Sequence, residues 1–235
     1  MNILSPLLAF ALLSVPVTGQ TQVSVQPKAP GIESQDYIWN EVKDDALLAL
    51  RASADARRGA ATYKLCHGCH RAGGAGGGDG LYPRLAGQHD TVLIKQLVDI
   101  RLGRRDNPTM YPFASEREIG IQDVADLAVY LSALPTPPDN AKGSGNGTAL
   151  ARGEKLYARD CVSCHGKRGQ GVAEKFYPRL AGQHFPYLQK EIRDIAKGTR
   201  RNANPKMVGV VKSYTDEEIT AVADYLSRLP GPKVR

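Results

Sequence analysis

Bulky and sulfur-bearing side chains are scarce in this chain. Its 235 residues include four cysteines, three methionines, four phenylalanines and one tryptophan, and aromatic residues make up only 6%. That is little material for the cores of two small domains, the number this length suggests. No alternating apolar–polar run marks a strand, which argues against a sheet protein. The glycine-rich stretch with Gly73, Gly74, Gly76, Gly77, Gly78 and Gly80 lacks the Lys and Ser/Thr of a phosphate-binding loop, which weakens a nucleotide reading. The apolar run at residues 3–17 is too short for a comfortable membrane span and is interrupted by Pro6 and Pro16. We read residues 1–19 as a secretory signal peptide, although no Lys or Arg precedes the apolar run; an uncleaved anchor is the alternative.

All four cysteines fall in two short segments, Cys66-His67-Gly68-Cys69-His70 and Cys161-Val162-Ser163-Cys164-His165. C-x-x-C-H is the attachment signature of a c-type haem. The thiols Cys66, Cys69, Cys161 and Cys164 add to the vinyl groups, and His70 and His165 are placed to bind the irons. A four-cysteine zinc site would leave both trailing histidines unexplained. Two covalently bound haem c groups also supply the bulky core that the side chains lack. Bacterial c-type haem attachment takes place outside the cytoplasm, so export to the periplasm is expected.

The surroundings of the two motifs repeat. Tyr82-Pro83-Arg84-Leu85-Ala86-Gly87-Gln88-His89 matches residues 177–184 residue for residue, and both this octapeptide and the haem motif recur after 95 positions. Asn107-Pro108-Thr109-Met110 matches Asn204-Pro205-Lys206-Met207. Met110 and Met207 are the only methionines besides Met1, and neither sits on an apolar helical stripe. They are the expected sixth ligands, since a neutral thioether favours ferrous iron. His89 and His184 also repeat and remain the alternative; otherwise they would cap the helices they precede or face solvent. Arg84, Arg179, Arg104, Arg105, Arg200 and Arg201 are candidates to neutralise haem propionates.

The remaining pattern is helical. Val124, Leu127, Leu131 and Leu134 recur as Ile219, Val222, Leu226 and Leu229, each stripe ending at a proline. Thr215 to Glu218 reads as a capping box, and Gly198 closes a helix whose face holds Leu188, Ile192 and Ile195. Residues 36–50 read as a helix capped by Asp36, with Trp39, Val42, Ala46 and Ala49 on one face. The expected division is an extension at 20–50, one domain at 51–137, a linker at 138–147 that starts semi-rigid and ends flexible, and a second domain at 148–235.

The net charge of +7 is uneven, with +2 on residues 51–137 and +8 on 148–235. Partners with an acidic docking face are therefore expected at the C-terminal domain, where Lys167, Arg168, Lys175, Lys190, Lys197, Arg200 and Arg201 are the candidates. Nucleic acid is not an expected partner of an exported haem protein.

The two haem motifs, the Pro-Arg-Leu-Ala-Gly-Gln segments and the Asn-Pro-x-Met segments together resemble the dihaem cytochrome c4 family over residues 55–230. The resemblance implies an all-α fold of two tandem class I cytochrome c domains related by a pseudo-twofold axis. It implies Met110 and Met207 as axial ligands, and the carbonyls of Pro83 and Pro178 as acceptors for His70 and His165. Arg71 departs from the family glycine that Gly166 keeps, and the extension is outside the common pattern. The expected function is a periplasmic carrier of single electrons between redox proteins such as an oxidase, a cupredoxin or a dehydrogenase, with peripheral membrane association left open. The alternative is an electron-accepting subunit of a dehydrogenase such as a sulfide-oxidising flavocytochrome. No cysteine is spare for a catalytic haem ligand, so no enzyme activity is expected.

Overall fold

The structure is a computed structural model and describes residues 25–77 and 79–231. The signal-peptide reading at 1–19 and the first residues of the extension lie outside them. The first half contains α1 (Asp44–Arg51), α2 (Ala56–Thr62), α3 (His67–His70), α4 (Asp90–Arg101), α5 (Tyr111–Ala114) and α6 (Ile121–Ala133). The second contains α7 (Gly147–Asp160), α8 (Val162–His165), α9 (Phe185–Ala196), α10 (Pro205–Val211) and α11 (Asp216–Arg228). Among the described residues the only strand-like pairing is one isolated bridge between Val172 and Tyr177.

The expected stripes form the cores. Val124, Leu127 and Leu131 of α6 are buried with Leu93, Ile94 and Val98 of α4. Ile219, Val222 and Leu226 of α11 are buried with Leu156 and Tyr157 of α7 and Leu188, Ile192 and Ile195 of α9. Thr215 and Glu218 form the capping box of α11, and Gly198 follows α9 at φ +72°.

In each domain the helix before the haem motif crosses the last helix at a glycine. A Cβ on Gly59 would run into the Asp126 carbonyl, and one on Gly153 into that of Ala221. Both obstacles are backbone and cannot swing aside. Alanine gains about 1 kcal/mol of helix propensity over glycine, whereas overpacking costs typically about 1–3 kcal/mol and occasionally more. A direct clash with backbone lies at the upper end of that range. Gly59→Ala and Gly153→Ala are each expected to destabilise the protein in equilibrium denaturant unfolding; unchanged midpoints would contradict the close crossing.

Two expectations about the connections are corrected. The helix expected over 36–50 begins only at Asp44, whose φ is +49°, and Lys43 rather than Asp36 stands at its cap. Ala46 and Ala49 are buried as expected, but Trp39 lies ahead of the helix and turns toward the second domain, stacking on Tyr177 with ring centroids 5.7 Å apart. The linker is also not free. Asn140 donates to the carbonyls of Gln183 (3.0 Å) and Ser227 (2.7 Å), Phe185 N donates to the Ala141 carbonyl (2.7 Å), and Gly145 N donates to Asp224 (2.7 Å). Polar partners contributed by the second domain tether a segment whose own composition suggested flexibility.

Candidate haem centres

Each C-x-x-C-H segment forms one helical turn. His70 N donates to the Cys66 carbonyl (3.0 Å) and His165 N to that of Cys161 (2.9 Å), so the second cysteine and the histidine rise on α3 and α8 directly after the first cysteine. Arg71 and Gly166, the next residues, have φ of +58° and +76°. Glycine adopts this freely, whereas arginine there costs on the order of 1–3 kcal/mol. A tyrosine hydroxyl holds the turn in both copies: Tyr63 donates to the Arg71 carbonyl (2.7 Å) and Tyr157 to that of Gly166 (2.5 Å). The repeat of these tyrosines was visible in the sequence, but not their role.

Both motif histidines are buried. The Nδ1 of His70 lies 3.0 Å from the Pro83 carbonyl, and that of His165 lies 3.0 Å from the Pro178 carbonyl. A carbonyl can only accept, so each Nδ1 carries the proton and each Nε2 keeps a bare lone pair. Burial lowers the pKa of both rings more than the carbonyl raises it, which keeps them neutral. A neutral imidazole oriented by a backbone acceptor is the donor that haem iron requires. Burial also pushes the thiols of Cys66 and Cys161 up to about 11 and about 12. Among the described residues no three His, Cys, Asp or Glu side chains cluster as a metal site, and the four cysteines form no disulfide.

The methionines sit less symmetrically than their sequence context suggested. Met207 lies within α10 and packs against the buried cluster that includes Cys161. Met110 stands at the N-cap of α5, its amide held by the Asn107 side chain (3.1 Å), and it is half-buried outside the corresponding cluster of the first domain.

His89 and His184 occupy the N-cap positions of α4 and α9, as expected, but their side chains bond no amide of their own helix and reach across to the other domain instead. His89 Nε2–H donates to the Gln170 carbonyl of the other domain (2.7 Å), and His184 Nε2–H donates to the Ala75 carbonyl (2.8 Å). His184 Nδ1 also accepts from Ala141 N (3.0 Å), so both of its ring nitrogens are engaged.

The rest of the octapeptide is likewise exchanged between domains. Gln183 accepts from Arg84 N and donates to its carbonyl, both at 2.9 Å; Gln88 accepts from Arg179 N (2.9 Å) and donates to its carbonyl (3.0 Å). The Arg84 guanidinium reaches the Gly182 carbonyl, and that of Arg179 reaches the Gly87 carbonyl. Neither arginine has a carboxylate partner among the described residues, burial lowers both pKa values, and the Nε of Arg84 is buried without any acceptor. Two uncompensated cations at the domain junction fit the anionic propionates of haem, as does the oriented, neutral imidazole in each copy.

The other propionate candidates are committed elsewhere. Arg105 and Arg200 both pair with Glu191, at 3.0 and 2.6 Å; Arg201 pairs with Glu33 (2.6 Å) and Asp106 (3.1 Å), and Arg104 lies 3.9 Å from Asp99. Local sequence offered no signal for this network, whose partners are drawn from the extension and both domains.

The family model for cytochrome c matches twice, at residues 56–135 and 150–230. Cytochrome c4 of Pseudomonas aeruginosa is 32% identical over 184 residues, covering 76% of this chain and 90% of that protein. The thiosulfate dehydrogenase electron acceptor of Stutzerimonas stutzeri is 35% identical over 172 residues, covering 70% of this chain and 77% of that protein. The crystal structure of reduced recombinant cytochrome c4 from Pseudomonas stutzeri superposes with a TM-score of 0.68 at 28% identity, covering 76% of this chain and all of that one. Two tandem cytochrome c domains, each with its C-x-x-C-H turn, place the chain in the dihaem cytochrome c4 family of electron-transfer proteins, which carry two covalently bound haem c groups and are not enzymes.

Proposed function

We propose that the chain carries single electrons in the periplasm, with one haem on Cys66 and Cys69 and the other on Cys161 and Cys164. His70 and Met110 would hold the first iron, and His165 and Met207 the second. The observation that carries this reading is the pair of buried histidines whose Nδ1 is bound to Pro83 or Pro178, leaving Nε2 to the iron. When bound, each haem supplies a one-electron Fe(III)/Fe(II) couple. The chain's own residues fix the imidazoles, exclude water and shield the propionate charge. With one histidine and one methionine each, the irons would have no position left for substrate.

The docking face for an acidic partner is at the second domain. Lys167, Arg168, Lys175 and Lys197 are exposed and have no ion-pair partner among the described residues. Lys190 is drawn to Asp194 (2.5 Å), and Arg200 and Arg201 are taken up by internal pairs, so these three leave the candidate set. Lys64 and Arg71, exposed on the first domain, serve as the comparison pair, whereas Arg104 and Arg105 lie near-buried beside Asp99 and Glu191. Charge reversal of Lys167 and Arg168 is expected to slow electron transfer with the physiological partner and to flatten its salt dependence, since exposed charges act over about 8 Å at physiological ionic strength. Reversal of Lys64 and Arg71 is expected to do so less. Stopped-flow kinetics at several salt concentrations decide; equal effects at both ends would overturn the assignment.

A second reading, an electron acceptor for a dehydrogenase, is supported by the similarity to the thiosulfate dehydrogenase electron acceptor. The exposed apolar side chains Leu65, Leu81, Tyr82 and Phe113 of the first domain are consistent with a donor seated there. Co-purification of a second polypeptide separates the two readings.

A further inference from the structure

The extension ahead of α1 runs across both domains and is fastened to each. On the first, Gln26 donates to the carbonyls of Ile100 and Arg105 (both 2.8 Å) and accepts from Asn107 N (2.9 Å), while Ala29 N donates to the Gly103 carbonyl (3.1 Å). On the second, Ile32 N donates to the Arg201 carbonyl (2.8 Å) and Glu33 pairs with the Arg201 guanidinium. The strap then delivers Trp39 onto Tyr177, with the ring planes 26° apart. Lys95, a buried residue of α4, holds its ammonium 5.5 Å from the centroid of the indole. Trp39 is thus gripped from both domains.

Tyr177 flanks the buried histidine of the second site, 6.3 Å from His165 between ring centroids. Tyr82 lies at the same distance from His70, 6.3 Å, with its ring at 75° to the imidazole rather than the 46° of Tyr177 to His165. The two sites differ in what lies beyond. Tyr82 is 39% exposed and no other aromatic ring stacks on it among the described residues, whereas Tyr177 lies under the strap. The strap has no second copy in the chain, so only one of the two repeated sites is covered in this way.

We propose that the strap is a cap for the second haem site, and that Trp39, by covering Tyr177, keeps water from the His165 side and sets the potentials of the two haems apart. Ferric haem carries one positive charge more than ferrous haem, and water stabilises the more charged state. Shielding therefore favours the reduced form and raises the potential. Trp39 is a positioning residue here; it acts through Tyr177. The inference rests on the assignment of His165 to the second iron.

The test is a redox titration of the intact dihaem protein and its Trp39→Ala and Trp39→Phe variants. Trp39→Ala is expected to move one couple to lower potential and leave the other in place, and Trp39→Phe to restore most of the shift. In a Met207→His background, the couple displaced by that substitution is the one expected to move. Two unmoved couples, or two that move together, overturn the proposal. Trp39 is the only tryptophan, so its fluorescence is a second readout independent of any variant. Emission strongly quenched in the folded protein and recovered on unfolding is expected; bright emission from the folded protein overturns the seating. A peptide containing Cys161 and Cys164 that carries haem, together with unmoved couples, defeats the cap alone. The same peptide without haem defeats the iron assignment, and the cap with it.

Discussion

Met207→His is expected to lower the potential of one haem and to leave the other in place, and Met110→His to do the same to the other haem. Axial ligation sets haem potentials over a range of about 0.8 V. Thioether sulfur is neutral and soft and favours ferrous iron, whereas imidazole is the stronger donor to ferric iron. The exchange is therefore expected to move one couple downward, with loss of the sulfur-to-iron charge-transfer band in the near infrared at the substituted site. Redox titration followed by near-infrared absorption of the ferric protein reads both effects. Spectra and potentials unchanged in both variants would return His89 and His184 as ligands. The structure makes that costly, because each would first have to leave its carbonyl partner in the opposite domain, Gln170 for His89 and Ala75 for His184.

Glu191→Gln is expected to loosen the contact between the domains more than any surface substitution. Glu191 is buried and takes Arg105 from the first domain and Arg200 from the second, and all three side chains are at most 19% exposed. Breaking a buried ion pair by removing one partner costs about 3–5 kcal/mol, because it strands the remaining charge. Here two guanidinium groups would be left without their shared carboxylate. The retained amide keeps some hydrogen bonding, which places the loss toward the lower end. Burial alone would raise the Glu191 pKa, but Arg105 and Arg200 overcome it and hold the carboxyl at about 2, below its usual 4.5. The contribution to stability is thus complete above pH 4.5 and is lost as pH falls from there toward about 2. Denaturant unfolding between pH 7 and pH 3 is expected to show the parent converging on the variant as acid is added. A variant as stable as the parent at pH 7 would show that the triad contributes nothing net.

What the sequence disclosed depended on whether the information was local. The stripes Val124, Leu127, Leu131 and Ile219, Val222, Leu226 became buried faces because a 3.6-residue period marks one side of a helix wherever that helix ends up. The Thr215–Glu218 cap and the left-handed Gly198 are equally local. Residues that act across the domain junction were recognisable as repeated but not as exchanged: nothing near Arg84 or Gln88 in the chain announces that its partner is about a hundred positions away. Trp39 misled for the related reason that its apolar neighbours fit a helical period, while its real partners, Tyr177 and Lys95, are long-range. Arg104, Arg105, Arg200 and Arg201 were noticed for their charge, and charge alone did not say that carboxylates had already claimed them. The proline carbonyls on His70 and His165 followed from family resemblance and not from spacing.

The octapeptide exchange has a consequence for how the halves can change. Each half presents the same surface to the other, as in the isologous interface of a symmetric dimer, so the contact is one patch complementary to itself. A substitution at Gln88 is felt at Arg179, and its twin at Gln183 is felt at Arg84. Drift in one copy thus removes a partner from the other, and only matched changes preserve both contacts. Positions outside the junction carry no such debt: Leu65, exposed beside Cys66, corresponds to Asp160, which binds Arg159 and Tyr214 in its own domain. The eight identical residues thus coincide with a contact in which each copy meets its own counterpart.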